Sequence, residues 1–428
     1  MNYFVPLHEN ITYMKNFLIF ISMVLLFAAC SKHEEDDKPL SEGRRTVILY
    51  VSGDNILSSF TSTDIQELIN GAKNNLSSSD RLVMFVDRIS DIEKPFIARI
   101  TGNEQQPVDT LYKYPTDFLV SEPSNFREVL TRIQGLCPAK EYGLVLWGHG
   151  TGWTIETSVV PAAAPRRAYG VDNGNVASRG DHGLWLNIPD MRKVFEQMGV
   201  KWKFIFADCC NMMCAEVAYE LRNCVDYLIG SPAEIPGQGA PYHKIVTHLF
   251  SQSDNFYEGI VDAYANDNLK YLPLSVIQLS EMEQLAKATK QVMPQIAAHL
   301  RLGDEAATRG IIYYNAPGGM YDDVNKVMYD MNHMILRALA EQPEAYTQWH
   351  QALERAVVKR VTSMAWATNN SNTVNFSDFR EATETEQGCV SMFFPLNKYD
   401  NSTCSHFYNQ DIRQMQWYQA VDWASQGY

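Results

Sequence analysis

Residues 143–150 read Gly-Leu-Val-Leu-Trp-Gly-His-Gly, and residues 203–210 read Lys-Phe-Ile-Phe-Ala-Asp-Cys-Cys. Each is a short apolar run that stops on polar chemistry: a histidine between two glycines in the first, an acid and two thiols in the second. Near-continuous apolar character over so few residues fits a strand buried on both faces, not a half-wet strand of alternating pattern. Further runs of this kind lie at Thr46–Val51, Arg81–Asp87 and Tyr227–Gly230, and segments of helical period lie between them at Ile56–Leu76, Asn125–Leu136, Ile188–Met198 and Ala215–Cys224. Strands alternating with helices predict an α/β/α sandwich around a mostly parallel central sheet. Functional groups in such a sheet gather beyond the carboxyl ends of the strands, so His149 and Cys210 are expected at one edge.

Working outward, two connections break the rhythm. Residues 154–186 are too long for an ordinary link and carry Arg166-Arg167, which reads as a functional or cleaved loop. Residues Ser231–Tyr242, rich in proline and glycine, are placed to wall a pocket. Beyond Leu274 the pattern predicts a strand at Leu274–Leu279, helices at Met282–Leu300 and Val324–Ala340, and a late strand at Gly388–Pro395, without a catalytic motif. The expected organisation is a catalytic domain over 45–272 and a C-terminal α+β extension over 273–428 that completes the sheet.

The amino terminus reads as an address and a tether. After Met14, the expected start, comes Lys15, then an apolar stretch from Phe17 to Phe27 and Ala28-Ala29-Cys30. That run is too short for a stable membrane span, and its small-small-cysteine ending resembles the bacterial lipobox, so residues 1–30 are expected to be a signal peptide with its lipobox, cut before Cys30, which would be lipidated and become the mature N-terminus. Residues 31–44 are charged and should form a flexible acidic tether. Their Glu34-Glu35-Asp36-Asp37 resembles the acidic export signal of Bacteroidetes lipoproteins, so the expected location is the outer membrane, facing outward.

Composition narrows the partners. With 46% hydrophobic residues the 428-residue chain can bury a large core, and a net charge of -14 argues against nucleic acid or an anionic membrane surface as a ligand. Once Cys30 is set aside an odd number of cysteines remains, so in an oxidising compartment at least one thiol is unpaired. Cys209, Cys210, Cys214 and Cys224 lack the paired spacing of a structural zinc site.

The two strand-end motifs, with Thr46–Asn55 (TVILYVSGDN), Leu144–Trp153 (LVLWGHGTGW), Phe206–Glu216 (FADCCNMMCAE) and Gly230–Tyr242 (GSPAEIPGQGAPY), resemble the clostripain family of cysteine peptidases, in the clan of caspase-like folds. The resemblance implies that His149 is the catalytic histidine, Cys210 the nucleophile, and Asp208 the floor of a pocket that takes Arg or Lys before the scissile bond. The amides of Gly150 and Cys210 would hold the oxyanion. A helix starting near Ala215 and a nearby imidazolium would depress the Cys210 thiol. Self-cleavage after Arg166 or Arg167 would open the site. The chain departs from the family pattern where Cys209-Cys210-Asn211-Met212-Met213 replaces the usual single cysteine, which leaves Cys209 as a rival; alternation along a strand would point it the other way.

The expectation is therefore a secreted, lipid-anchored, monomeric endopeptidase acting on proteins or peptides with basic residues. Two alternatives share its residues: an inactive peptide-binding surface lipoprotein, and a thiol-dependent transpeptidase. No cofactor is required; calcium stands as an option because some relatives depend on it, with Asp322-Asp323 as its residues, although adjacent acids more often start a helix. Gly53-Asp54-Asn55 reads as a turn that supports the pocket wall.

Overall fold

A computed structural model describes residues 39–428 other than 74, 91, 156–167, 175–182, 268–271, 316–325, 369–371, 381 and 401–406. Cys30, Arg166, Arg167, Asp322, Asp323 and Cys404 lie outside the described residues. The amino-terminal part alternates strand and helix: β1 (Gly43–Gly53), α1 (Thr61–Ala72), β2 (Asp80–Arg88), β3 (Phe96–Ile100), β4 (Val108–Lys113), α2 (Pro123–Leu136), β5 (Ala139–Trp147), β6 (Tyr169–Asp172), β7 (Leu184–Leu186), α3 (Ile188–Met198), β8 (Trp202–Asp208), α4 (Ala215–Leu221) and β9 (Val225–Gly230). There follow α5 (Tyr242–Leu249), α6 (Tyr257–Asp267), β10 (Leu274–Gln278), α7 (Met282–Leu300), β11 (Tyr313–Asn315), β12 (Met328–Asp330), α8 (Met331–Ala338), α9 (Pro343–Ala356), β13 (Val357–Val361), β14 (Ala365–Thr368), β15 (Asn372–Asn375) and β16 (Ser391–Met392).

The central sheet has nine strands in the order β13-β10-β9-β8-β5-β1-β2-β3-β4. Its middle is parallel, β2 with β1, β1 with β5, β5 with β8 and β8 with β9, and antiparallel pairs close both edges. Burial on both faces explains the unbroken apolar runs. On one face Ile48, Tyr50, Val83, Phe85, Leu144, Leu146 and Ile205 join Phe126, Val129 and Ile133 of α2 and Met191 and Phe195 of α3 in one core. On the other, the Phe204 ring meets Phe256 and the Phe206 ring meets Tyr264 of α6, while α1, α5 and α6 pack side by side. The period of two therefore sorts every strand residue, including those at the strand ends, between two helical layers.

Several segments depart from the sequence reading for identifiable reasons. The helix expected from Ile56 starts only at Thr61, because Asn55 Oδ1 accepts the Leu57 amide at 2.9 Å and holds a turn first. The single helix expected over Val324–Ala340 contains β12; its Asp330 carboxylate accepts the His333 amide at 2.8 Å and starts α8 there. The late strand shrinks to Ser391–Met392, since Cys389 sits at φ 53°, a left-handed conformation that interrupts a ladder. The pair β3 and β4 went unread: FIARI is short and follows a Lys-Pro, and VDTLYK is half-exposed throughout all but its last residue.

Candidate active site

The site begins with a register. In the parallel pair β5–β8, Trp147 stands opposite Asp208, so the chain leaving β5 through Gly148 to His149 runs beside the chain leaving β8 through Cys209 to Cys210. Gly150 fixes how close they come: a Cβ there would lie 2.7 Å from the Cys210 carbonyl oxygen, 3.1 Å from Cys209 Cβ and 3.2 Å from the Cys210 nitrogen. Only glycine lets two backbones meet this closely. The turn is held from behind by β6, where the Gly170 amide donates to the His149 carbonyl at 2.8 Å and the Thr151 amide to the Ala168 carbonyl at 2.9 Å. Those bonds run through the neighbours of Gly150 and do not use its own amide, which is the one the sequence assigned to an oxyanion. The His149 ring lies 6.1 Å from that of Trp185.

Alternation separates the two thiols as expected. Cys209 is buried at 1% exposure within the core that holds Ile205 and Ala207, whereas Cys210 is part-exposed and its Sγ accepts the Ile235 amide at 3.2 Å. Burial pushes the Cys209 thiol well up and closes it to solvent. The Cys210 thiol, however, does not follow the sequence expectation. It is pushed up to about 12, by burial first and then by the Glu234 carboxylate, with the Ile235 amide opposing. Asn211 to Cys214 separate it from α4, which is only seven residues long and starts at Ala215, so the helix end does not reach it. All six described cysteines are free thiols.

Asp208 points to the other layer. Its Oδ2 accepts the Tyr242 hydroxyl at 2.6 Å and the Ala240 amide at 3.0 Å, and its Oδ1 accepts the Tyr264 hydroxyl at 3.2 Å. These groups belong to the 231–242 loop, to the start of α5 and to α6. Burial still raises the Asp208 carboxyl above the usual range, with those three hydrogen bonds opposing it. Behind it lies Asp64 of α1, a residue the sequence reading passed over. Its Oδ2 accepts the Trp147 indole N–H at 2.6 Å, and burial together with Asp208 lifts its pKa to about 8. Gly239, at φ +65°, faces both acids, since a Cβ there would sit 3.0 Å from Asp208 Oδ2 and 3.4 Å from Asp64 Oδ2. The available signal was an acid on the apolar stripe of α1, between Thr61 and Ile65 and one turn before Leu68.

A second group of acids lies beyond the ends of β1 and β2. Asp54, Asp87 and Asp172 each bring a carboxylate oxygen within 4.8 Å of the others. Burial and the neighbouring acids push Asp87 well up, and burial takes Asp172 to about 7.

A parallel sandwich that sets a histidine turn against a part-exposed thiol at its strand ends defines a cysteine peptidase of the caspase-like type. The clostripain family model matches residues 49–426, and the chain belongs to that family. Among solved structures, a secreted C11 cysteine protease from Bacteroides thetaiotaomicron, in complex with an irreversible peptide inhibitor, is 27% identical with a TM-score of 0.71, over 90% of this chain and 100% of that one. A second secreted C11 protease of the same organism, called iotapain, is 21% identical with a TM-score of 0.70, over 89% of this chain and 100% of its own. An inactive zymogen C11 protease from Parabacteroides distasonis is 22% identical with a TM-score of 0.69, over 90% and 99%. The last two share the fold. No protein of curated function matches the chain. Among the described residues, no helix is long and apolar enough to cross a membrane.

Proposed function

We propose that this peptidase is a secreted endopeptidase that cleaves after Arg or Lys, with Cys210 as nucleophile and His149 as its acid and base. The observation that carries the reading is the β5–β8 register, which brings the Gly150 backbone against that of Cys210. His149 takes the Cys210 proton as sulfur attacks the scissile carbonyl, then returns it to the departing amine, leaving an acyl-enzyme. Water, deprotonated by His149, releases the second product and the thiol. The amides of Gly150 and Cys210 are proposed to hold the oxyanion.

The neighbouring acids Asp208 and Asp64 support a basic preference, because a guanidinium or ammonium near them would offset the burial that raises both carboxyls and the repulsion by Asp208 that adds to it at Asp64. Self-cleavage at Arg166 or Arg167 would answer to the same specificity, and Cys30 would carry the lipid that places the enzyme on the outer membrane. The peptide inhibitor on the Bacteroides thetaiotaomicron relative supports a peptide ligand here.

Hydrolysis of fluorogenic peptides ending in Arg, Lys, Asn or Asp tests the reading. Turnover confined to basic peptides, lost in Cys210→Ala and kept in Cys209→Ala, is expected; Asp208→Asn should lower kcat/KM for basic peptides by about 10²-fold or more. Equal turnover of Asn-ending peptides would remove the assignment of Asp208. The raised Cys210 thiol favours the inactive peptide-binding alternative to one extent: the uncut chain should be slow. Absence of turnover after trypsin nicking of the 154–186 loop would transfer the conclusion to a binding protein. Labelling with a fatty-acid analogue, lost in Cys30→Ala, tests the anchor.

A further inference from the structure

Glu216, in the first turn of α4, takes no part in the chemistry proposed above, yet the fold buries it completely. Its place follows from a ladder that cannot continue. Ser391 of β16 bridges in parallel to Cys214, and its amide donates to the Met213 carbonyl at 3.0 Å. Amides two residues apart in an extended chain point the same way, so the Phe393 N–H should next meet the Ala215 carbonyl. Ala215 instead opens α4, and its carbonyl turns along the helix axis. The Glu216 carboxylate fills the gap: its Oε1 accepts the Phe393 amide at 2.8 Å, which would otherwise be a buried donor without a partner. Burial lifts the Glu216 carboxyl to about 7, and that amide is the foremost of the hydrogen bonds that oppose the rise.

The segment from Ser391 to Phe393 touches the turns behind both catalytic candidates. On one side it holds Glu216 and Met213, whose own amide donates to the Ser231 carbonyl at 3.1 Å. Met213 lies in the turn that starts at Cys210 and passes through Asn211 at φ 61°. On the other side the Phe393 ring packs 4.6 Å from that of Trp153, on the chain that leaves His149. The two turns also meet directly, since a Cβ on Gly152 would lie 2.6 Å from the Asn211 carbonyl oxygen. We propose that Glu216 is a positioning residue for the Cys210–His149 pair, its carboxylate clipping residues 391–393 across both turns. The inference rests on the reading of Cys210 as nucleophile and His149 as its acid and base. A side chain one methylene shorter loses the bond, because an acceptor drawn back by about 1.5 Å leaves hydrogen-bond range. A neutral amide of the same reach keeps it. Asp208 is held from the opposite layer by Tyr242 and Tyr264, so capture of a basic side chain does not depend on the clip.

The test compares Glu216→Asp, which keeps the charge and loses the reach, with Glu216→Gln, which keeps the reach and loses the charge. Kinetics on an Arg-ending peptide use the full chain after trypsin nicking of the 154–186 loop. Hydrogen exchange of the peptide that spans Phe393, read by mass spectrometry, uses the full chain carrying Cys210→Ala, which prevents self-digestion. Glu216→Asp should lower kcat by about 10-fold with KM within about twofold, and should speed exchange at Phe393 by about 10-fold. Glu216→Gln should stay within about threefold of the parent in both. Phe393→Leu attacks the other end of the clip, its ring on Trp153, and should likewise lower kcat with KM kept; it carries the kinetic test if Glu216→Asp does not fold. Parent-like exchange in Glu216→Asp would overturn the clip. Parent-like kcat in Glu216→Asp or in Phe393→Leu would reduce it to a structural bond, and Glu216→Gln as slow as Glu216→Asp would show that charge rather than reach matters; either result overturns the inference. A parent without turnover would overturn the peptidase reading instead, and the exchange arm judges the clip by itself.

Discussion

Replacing Gly150 with alanine probes the contact on which the whole site depends. The new methyl would stand 2.7 Å from the Cys210 carbonyl oxygen and 3.1 Å from Cys209 Cβ. Carbon and oxygen rest at about 3.3 Å or more, so the two turns must part by roughly 0.5 Å, and both partners are backbone or core and cannot swing aside. Overpacking of this kind costs about 1–3 kcal/mol. A displacement of about 1 Å between reacting groups costs about 10²-fold in rate, so half that shift, together with a moved Gly150 amide, should lower kcat/KM by about 10- to 10²-fold. Gly135→Ala is the control: nothing lies within 4 Å of its Cβ, and it sits at the end of α2, where alanine should stabilise by about 0.5 kcal/mol. Steady-state kinetics on an Arg-ending peptide and denaturant melts of both variants give the answer. If Gly150→Ala keeps activity within about twofold of the parent, the close approach is not what places His149 against Cys210, and the reasoning fails.

Three other outcomes follow from the same geometry. Asp64→Asn should flatten the pH dependence of stability. A carboxyl whose pKa is about 8 when folded contributes most below the unfolded value near 4 and loses that contribution as pH rises to about 8. The neutral variant should therefore gain about 1 kcal/mol or more over the parent at pH 9, read by urea melts across pH 4–9. Trp153→Ala should destabilise by about 3–5 kcal/mol, since the indole is fully buried with its ring 4.6 Å from that of Phe393. Among the described cysteines, alkylation of the parent by iodoacetamide at neutral pH should be slow and should mark Cys210 first, because it alone of them is part-exposed while its thiol is pushed up to about 12.

The sequence carried the parallel middle of the sheet because strands buried on both faces write continuous apolar runs, and β1, β2, β5, β8 and β9 were all legible this way. It carried the adjacency of the two strand ends that lead to His149 and Cys210 for the same reason: both residues stand two positions beyond a strand whose end is marked by a polar residue or glycine. The edge pair β3–β4 left no such mark: β3 is buried but only five residues long, and β4 is half-exposed. The thiol's environment was equally unreadable. Glu234 lies 24 residues from Cys210 in sequence and acts on it through space, and the four-residue gap before α4 removes the helix end that the text had suggested. Asp54, Asp87 and Asp172 belong to the same category, since nothing in the sequence brings the three together until the fold does, whereas Asp64 left the trace of an acid on the apolar stripe of its helix.

The β5–β8 register bears on what a cut in the long connection would leave behind. Any break within residues 156–167 gives one polypeptide that ends soon after His149 and another that carries Cys210. Each would carry one of the two proposed catalytic residues, and adjacent strands of one ladder still join them. The two pieces would be interleaved rather than tethered, because β1, β2 and β5 come from the first, β8 and β9 from the second, and both helical layers draw on each. Losing covalent continuity should therefore cost the enzyme little, whereas either piece made alone would expose a bare parallel strand edge and find no soluble state of its own.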